Sequence, residues 1–344
     1  MPAEWEPHEA TWIAWPHEKS DWPGKFAPVP WVYGEIVRHL ARVERVRILV
    51  EDGDAEQSVR RVLKKCHVET AAVEFFHRPT NRSWARDYGP LFVKNRAGEV
   101  AVTHWRFNGW AKYGNWQHDT GVPEFVGERL GMRRWETGLV LEGGSIDVNG
   151  VGRLLTTEEC LLSEVQARNP GSPRRGLEAA FRKYLGVRET IWLNRGIAGD
   201  DTHGHIDDVA RFTAVDTIVA AVEPDKSDAN HEPLRENLAR LRARSRSCKD
   251  VRVATLPMPE PVYFAGQRLP ASYANFYIAN GLVLVPTFID RNDAVALRTM
   301  ERLFPDREVV GIPCRDLVLG LGTLHCMTQQ QPAPNSGTSA AAAR

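Results

Sequence analysis

Thr217-Ile218-Val219-Ala220-Ala221-Val222, followed after a polar interval by Leu234, Leu238 and Leu241, decides the fold class of this 344-residue chain. The first run is short, rich in β-branched residues and bounded by turn formers, as a buried strand should be. The three leucines recur at helical spacing, so a helix follows it. Outward from this unit the same alternation repeats. Val46 to Val50, Ala72 to Phe76 and Leu282 to Val285 read as strands. Tyr33, Ile36, Val37, Leu40 and Val43 mark one helix, and Leu177, Ala180, Phe181 and Tyr184 a second, with Gly186 as its stop. Leu297, Met300, Leu303 and Phe304 mark another, with Asn292 or Asp293 placed to cap it. No composition break reads as a linker, so the expectation is one mixed α/β domain over residues 1–332, with 333–344 as a loose tail.

Lys plus Arg and Asp plus Glu each number 44, so the formal net charge is zero, which argues against nucleic acid as a partner. At 42% hydrophobic and 26% charged, the chain can bury a substantial core. It has no apolar run of about 18 residues that would span a membrane, and its acidic start lacks the features of a secretory signal. Cys66, Cys160, Cys248, Cys314 and Cys326 form no CxxC pair, which points to a reducing, cytoplasmic setting. Ten of the eleven tryptophans lie before Glu136, and indoles that dense build cores or the walls of cation pockets. Oligomeric state is not legible, and a homo-oligomer stays open.

Four polar clusters sit beside apolar runs. In Asn81–Pro90, the carboxylate of Asp87 stands near the indole of Trp84, a pairing suited to a planar cation, although a surface turn with an Arg86–Asp87 ion pair would have the same sequence. Glu142-Gly143-Gly144 places a carboxylate before a close backbone approach. Gly199–Asp208 is the densest titratable run. There His205 is placed for acid and base work, and Asp207 shares its side if the segment is extended. His203, His205 and Asp207 also resemble the opening of a zinc hydrolase motif, but Asp208 stands where that class has a further histidine. In the fourth cluster, Leu319–Gln330, Cys326 follows a Gly-bearing turn and is a candidate nucleophile at the end of the sheet. Cys66, Cys160, Cys248 and Cys314 read as buried hydrophobes. One thiol, one imidazole and three carboxylates suit attack on a guanidinium carbon, because paired carboxylates hold that cation in a forked geometry and keep the carbon electrophilic.

In order along the chain, Met1–His8 with Trp12 and Trp15-Pro16, Trp84-x-Arg86-Asp87-x-Gly89-Pro90, Phe107–Trp110, Glu142-Gly143-Gly144, His203–Asp207 and His325-Cys326-x-Thr328-Gln329-Gln330 resemble the agmatine deiminase family. That family is grouped with the bacterial type of peptidylarginine deiminase. The resemblance implies a five-bladed β/α propeller, or pentein, of pseudo-repeated ββαβ units around a central channel. The positions 87, 142, 205 and 326 are separated by 55, 63 and 121 residues, compatible with one, one and two such units. It further implies Cys326 as nucleophile, His205 as acid and base, and Asp87, Glu142 and Asp207 as guanidinium holders, with no cofactor and no metal. The reaction implied is hydrolysis of agmatine to N-carbamoylputrescine and ammonia through a covalent thiouronium on Cys326. Trp84 and Trp110 are candidates for the pocket wall, and Asp201 for a distal amine.

Two departures touch specificity: Leu321 interrupts the glycines at 320 and 322, and Gly109–Trp116 lacks a glycine-rich stretch expected after Trp110. Three other readings remain: deimination of peptidyl or C-terminal arginine with Arg106 binding a carboxylate, a zinc hydrolase, and a silent guanidinium binder.

Overall fold

The computed structural model describes residues 1–247 and 250–335. Cys248 and residues 336–344 of the expected tail lie outside the described residues. The strands are β1 (His8–Ala14), β2 (Arg45–Val50), β3 (Val73–His77), β4 (Leu91–Lys94), β5 (Val100–Arg106), β6 (Arg134–Val140), β7 (Asp147–Val148), β8 (Arg153–Thr157) and β9 (Glu189–Leu193). They continue as β10 (Ala210–Ala214), β11 (Thr217–Val222), β12 (Arg252–Pro257), β13 (Tyr263–Phe264), β14 (Gln267–Arg268), β15 (Tyr277–Ala279), β16 (Leu282–Thr287), β17 (Glu308–Pro313) and β18 (Thr328–Pro332). The helices are α1 (Val29–Leu40), α2 (Gly53–Lys65), α3 (Ala85–Tyr88), α4 (Val122–Arg129), α5 (Glu158–Leu162), α6 (Arg174–Ala180), α7 (His231–Ser247), α8 (Asp293–Leu303) and α9 (Leu324–Met327).

Among the described residues, one connectivity recurs in five sheets. A first strand pairs antiparallel with a second, the chain crosses through helix, and a third strand pairs parallel with the second. β4-β5-β6, β7-β8-β9, β10-β11-β12 and β15-β16-β17 follow this order. The fifth sheet joins the two ends of the chain, because β18 pairs antiparallel with β1, β1 parallel with β2, and β3 extends the edge. Antiparallel neighbours need only a short turn, whereas a parallel neighbour demands a crossover, and the amphipathic helices read from the sequence supply it.

Each crossover helix lays an apolar stripe on its sheet. Tyr33, Ile36, Val37 and Leu40 of α1 are fully buried, as are Leu234 and Leu241 of α7 and Ala296 and Met300 of α8. Pro28 precedes α1 with a further proline in its first turn, where a missing N–H costs nothing. Val43, expected in this helix, lies beyond its end. Phe181 to Leu185, expected as α-helix, winds as a π turn before Gly186 closes it at φ +71°. Asn292 occupies the position before α8 but caps it with no side-chain bond.

The segment preceding a first strand holds a candidate site residue in four of these sheets. α3 precedes β4, the turn Gly143–Ser145 precedes β7, the turn Ile206–Asp208 precedes β10, and α9 precedes β18. Two local expectations fail here. Ile206 to Asp208 is a 3₁₀ turn and not an extended strand, with His205 just before it. Cys326 is not at the end of a strand: β17 is followed by a 3₁₀ turn at Leu317–Gly320, and Cys326 is buried in α9. Among the described residues no helix is long and apolar enough to cross a membrane.

Candidate active site

The turns before the first strands converge. Cys326 Sγ accepts a hydrogen bond from Asn275 Nδ2 at 3.1 Å and lies 3.6 Å from Asp207 Oδ2. His205 Nδ1 stands 3.8 Å from Asp87 Oδ1 and 4.0 Å from Asp207 Oδ1, and its Nε2 is 3.8 Å from Glu142 Oε2. Although the sequence scatters them, these five side chains form one buried group, each 6% exposed or less. Gly144 allows the approach. A Cβ built there would meet His205 Nδ1 at 2.6 Å and Asp87 Oδ1 at 2.8 Å, while its own N–H donates to Asp87 Oδ1 at 3.1 Å.

Each carboxylate has a different environment. Burial, countered in part by His205, raises Asp87 to about 6. Trp110 Nε1 donates to its second oxygen at 2.8 Å, which favours the charged form. Burial also opposes charge on Glu142, but Arg168, whose Nε donates at 3.0 Å, outweighs it and holds the carboxyl down to about 2. Asp207 is likewise held low against its burial, chiefly by a 2.7 Å bond with His325 Nδ1. Despite full burial, His205 is pushed well above its ordinary value by Asp87, Cys160 and Glu142, which favour its charged form. Burial first, and then Asp207, Asp208 and Asp87, push the Cys326 thiol far up.

Beneath this layer His325 Nε2 reaches Glu4 Oε2 at 2.9 Å. Glu4 also receives Arg86 Nη2 at 3.2 Å, Arg211 Nη2 at 3.0 Å and the Ile278 N–H at 2.8 Å. Arg86 therefore pairs with Glu4 and not with Asp87, so the simple surface-turn reading of that motif fails.

A cavity of about 590 Å³ leads from the surface to Asp87 and Cys326, walled by Trp84, Trp110, Leu321 and Phe264. That volume accepts a small elongated ligand. Asp201 lines it too, but one of its oxygens is paired with Lys112 Nζ and the other accepts from Tyr113 Oη at 2.6 Å. Arg106 is exposed and absent from the lining, so it is not placed to bind a substrate carboxylate there. Gly320 and Gly322 are needed where they stand, since a Cβ at 322 would meet Trp84 at 2.9 Å and Cys326 Cβ at 3.0 Å. Leu321 adopts φ +68° between them and faces the cavity.

The zinc reading loses its geometry. His203 Nε2 bonds Ser163 Oγ at 3.1 Å, and among the described residues the donor atoms close enough to share an ion belong to Glu142, Cys160 and His205. Cys160 and Cys314 are buried as expected and Cys66 is half-buried.

Sequence reasoning missed three contributors. Asn275 bonds Cys326 Sγ through Nδ2, while its Oδ1 accepts from Thr323 Oγ1 at 2.8 Å and the His325 N–H at 3.0 Å. Its position before β15 matches that of Asp207 before β10, and it falls inside the 121-residue gap between His205 and Cys326. That gap was the available signal. Glu4 lies in the Met1–His8 motif, but nothing in that motif assigns it to the site, and Arg168 carried no signal, since a lone arginine in a loop is an ordinary surface residue.

Comparison with known proteins shows the family. The model of the Porphyromonas-type peptidyl-arginine deiminase family matches residues 1–332. An agmatine deiminase of Pseudomonas aeruginosa (strain LESB58) is 35% identical over 97% of this chain and 95% of its own. The solved agmatine deiminase of Enterococcus faecalis superposes with a TM-score of 0.89 at 31% identity, covering 97% of this chain and 95% of its own. A C. jejuni agmatine deiminase with substrate bound gives 0.88 at 30% identity, covering 97% and 96%. With a family match over nearly the whole length and relatives above 30% identity, the chain belongs to the Porphyromonas-type peptidyl-arginine deiminase family.

Proposed function

We propose that this enzyme hydrolyses the guanidinium group of agmatine to N-carbamoylputrescine and ammonia, with Cys326 as nucleophile. The observation that carries the reading is the end of the cavity, where a buried thiol faces Asp87 beside a charged His205, Glu142 and Asp207. Carboxylates at that spacing neutralise and orient a planar cation. As the cation seats, its charge offsets the carboxylates that hold the thiol protonated, and Cys326 gives up its proton to solvent in the open cavity. The thiolate adds to the guanidinium carbon. The His205 imidazolium then protonates the departing nitrogen, the C–N bond breaks, and ammonia leaves a thiouronium on sulfur. Neutral His205, 3.8 Å from Glu142, takes a proton from water as its oxygen adds to the same carbon. Collapse expels the thiolate, forms the ureido C=O and releases a second proton; of the two protons released, one converts ammonia to ammonium and the other restores the Cys326 thiol. One water is consumed and the products are the ureido compound and ammonium.

Trp84 and Trp110 serve as the apolar walls in this reading. Residues 1–332 act as one catalytic domain whose five ββαβ units are the blades of a five-bladed β/α propeller, supported by their shared connectivity and by the convergence of the turns before their first strands. A reducing, cytoplasmic setting suits the free thiols of Cys66, Cys160, Cys314 and Cys326. The test is ammonia release from agmatine by wild type and Cys326→Ala. The variant should lose turnover by about 10⁴-fold or more while still binding agmatine in calorimetry. Turnover near the wild-type rate would remove the mechanism.

A further inference from the structure

A substrate with a primary ammonium at its far end needs a carboxylate oxygen in the cavity that no protein group already uses. Asp201, the obvious candidate, has neither oxygen free, being bound by Lys112 and Tyr113. Asp21 also lines the cavity, and its side chain is only 3% exposed. Its Oδ1 pairs with Arg82, but among the described residues Oδ2 has no hydrogen-bond partner, and a buried polar atom left so is costly unless a ligand supplies the bond. Arg82 is itself engaged elsewhere, its Nη2 donating to Asn115 Oδ1 at 2.8 Å and its guanidinium lying 4.7 Å above the Tyr113 ring. Burial raises the Asp21 carboxyl to about 6 against the pull of Arg82, and Glu18 adds negative charge beside it while His17 acts in the opposite sense.

Resting on the agmatine reading, we propose that Asp21 Oδ2 is the anchor for the distal ammonium and the residue that selects alkylammonium guanidines. The one-sided pairing of Asp21 leaves a single acceptor for a cation, while the indole of Trp84, which lines the same cavity and packs against Trp22 on one side and the Gly322–Cys326 turn on the other, lies along the methylene chain.

The experiment compares agmatine, n-butylguanidine, which lacks the amine, and free arginine on wild type, Asp21→Asn and Asp201→Asn. Asp21→Asn should raise KM for agmatine about 10- to 100-fold, the worth of a charged hydrogen bond, while KM for n-butylguanidine and both kcat values stay within about threefold. Asp201→Asn should leave KM for agmatine within about threefold. Retained n-butylguanidine turnover shows that the variant is folded. If Asp21→Asn loses all turnover, the double variant Asp21→Asn/Arg82→Gln, which leaves no unpaired guanidinium, must show the same selective loss. Equal KM for agmatine and n-butylguanidine in wild type, no selective loss in either Asp21 variant, or a selective loss in Asp201→Asn would each overturn the assignment. A wild-type preference for arginine over agmatine would shift recognition to a carboxylate on Arg82 and overturn it too. Absence of ammonia release from every guanidine by wild type would instead refute the reaction itself.

Discussion

Asp87 sits at the balance point of the site. Burial and, more weakly, Asp207 and Glu142 raise it to about 6, while His205 and the Trp110 N–H pull it down. Only its ionised form attracts a guanidinium, so kcat/KM for agmatine should fall as the pH drops below about 6. Trp110→Phe removes a hydrogen bond to the charged form, so the acid limb should move to higher pH by several tenths of a unit or more. A pH profile unchanged by this substitution would separate the limb from Asp87. The different fates of Asp87 and Glu142 follow from their partners: an indole N–H for one, and the full charge of Arg168 for the other.

At the scale of elements, the turns entering the first strands carry the candidate catalytic groups, and glycines at 144 and 322 set how close those groups come. Leu321 breaks the glycine run, yet the two positions that face Trp84 and Cys326 keep their glycines. Gly322→Ala should therefore cut kcat more than about tenfold by displacing Cys326, since small misplacements of reacting groups are expensive. Leu321→Gly should leave kcat within about threefold. The reverse order in steady-state kinetics would show that Leu321 shapes the reacting end. Much of this level was legible. Thr217 to Val222 is a strand with the expected bounds, and helical spacing found α1, α6, α7 and α8. The short turns were misread because three or four residues carry too little periodicity to separate a 3₁₀ turn from an extended segment, as at Ile206–Asp208.

Across the whole molecule, Glu4 ties the start of the chain to Arg86 before β4, Arg211 in β10, Ile278 in β15 and His325 before β18. Burial alone would raise its carboxyl, but Arg211, His325 and Arg86 hold it well below the usual range. A depressed folded value means that this stabilisation is present above the unfolded pKa and is lost as the pH falls through the folded one. Glu4→Gln should destabilise the protein by about 3–5 kcal/mol at neutral pH, the cost of breaking a buried ion cluster from one side. The loss should shrink in acid, as urea midpoints at pH 7 and pH 4 would show. A midpoint shift independent of pH would assign the effect to packing instead.

The family was legible in the sequence alone. Ordered motifs from Met1 to Gln330 carry a resemblance that the family match over residues 1–332 bears out, and hydrophobic period separates strands from helices wherever a run is long enough. Which groups meet, and with what charge, was decided only by the tertiary structure. Asn275, Arg168 and Glu4 gain their parts from neighbours tens to hundreds of residues away, and the free oxygen of Asp21 against the occupied pair of Asp201 is a matter of partners in space. Burial and long-range pairing set the pKa of a side chain, and neither is a property of its place along the chain.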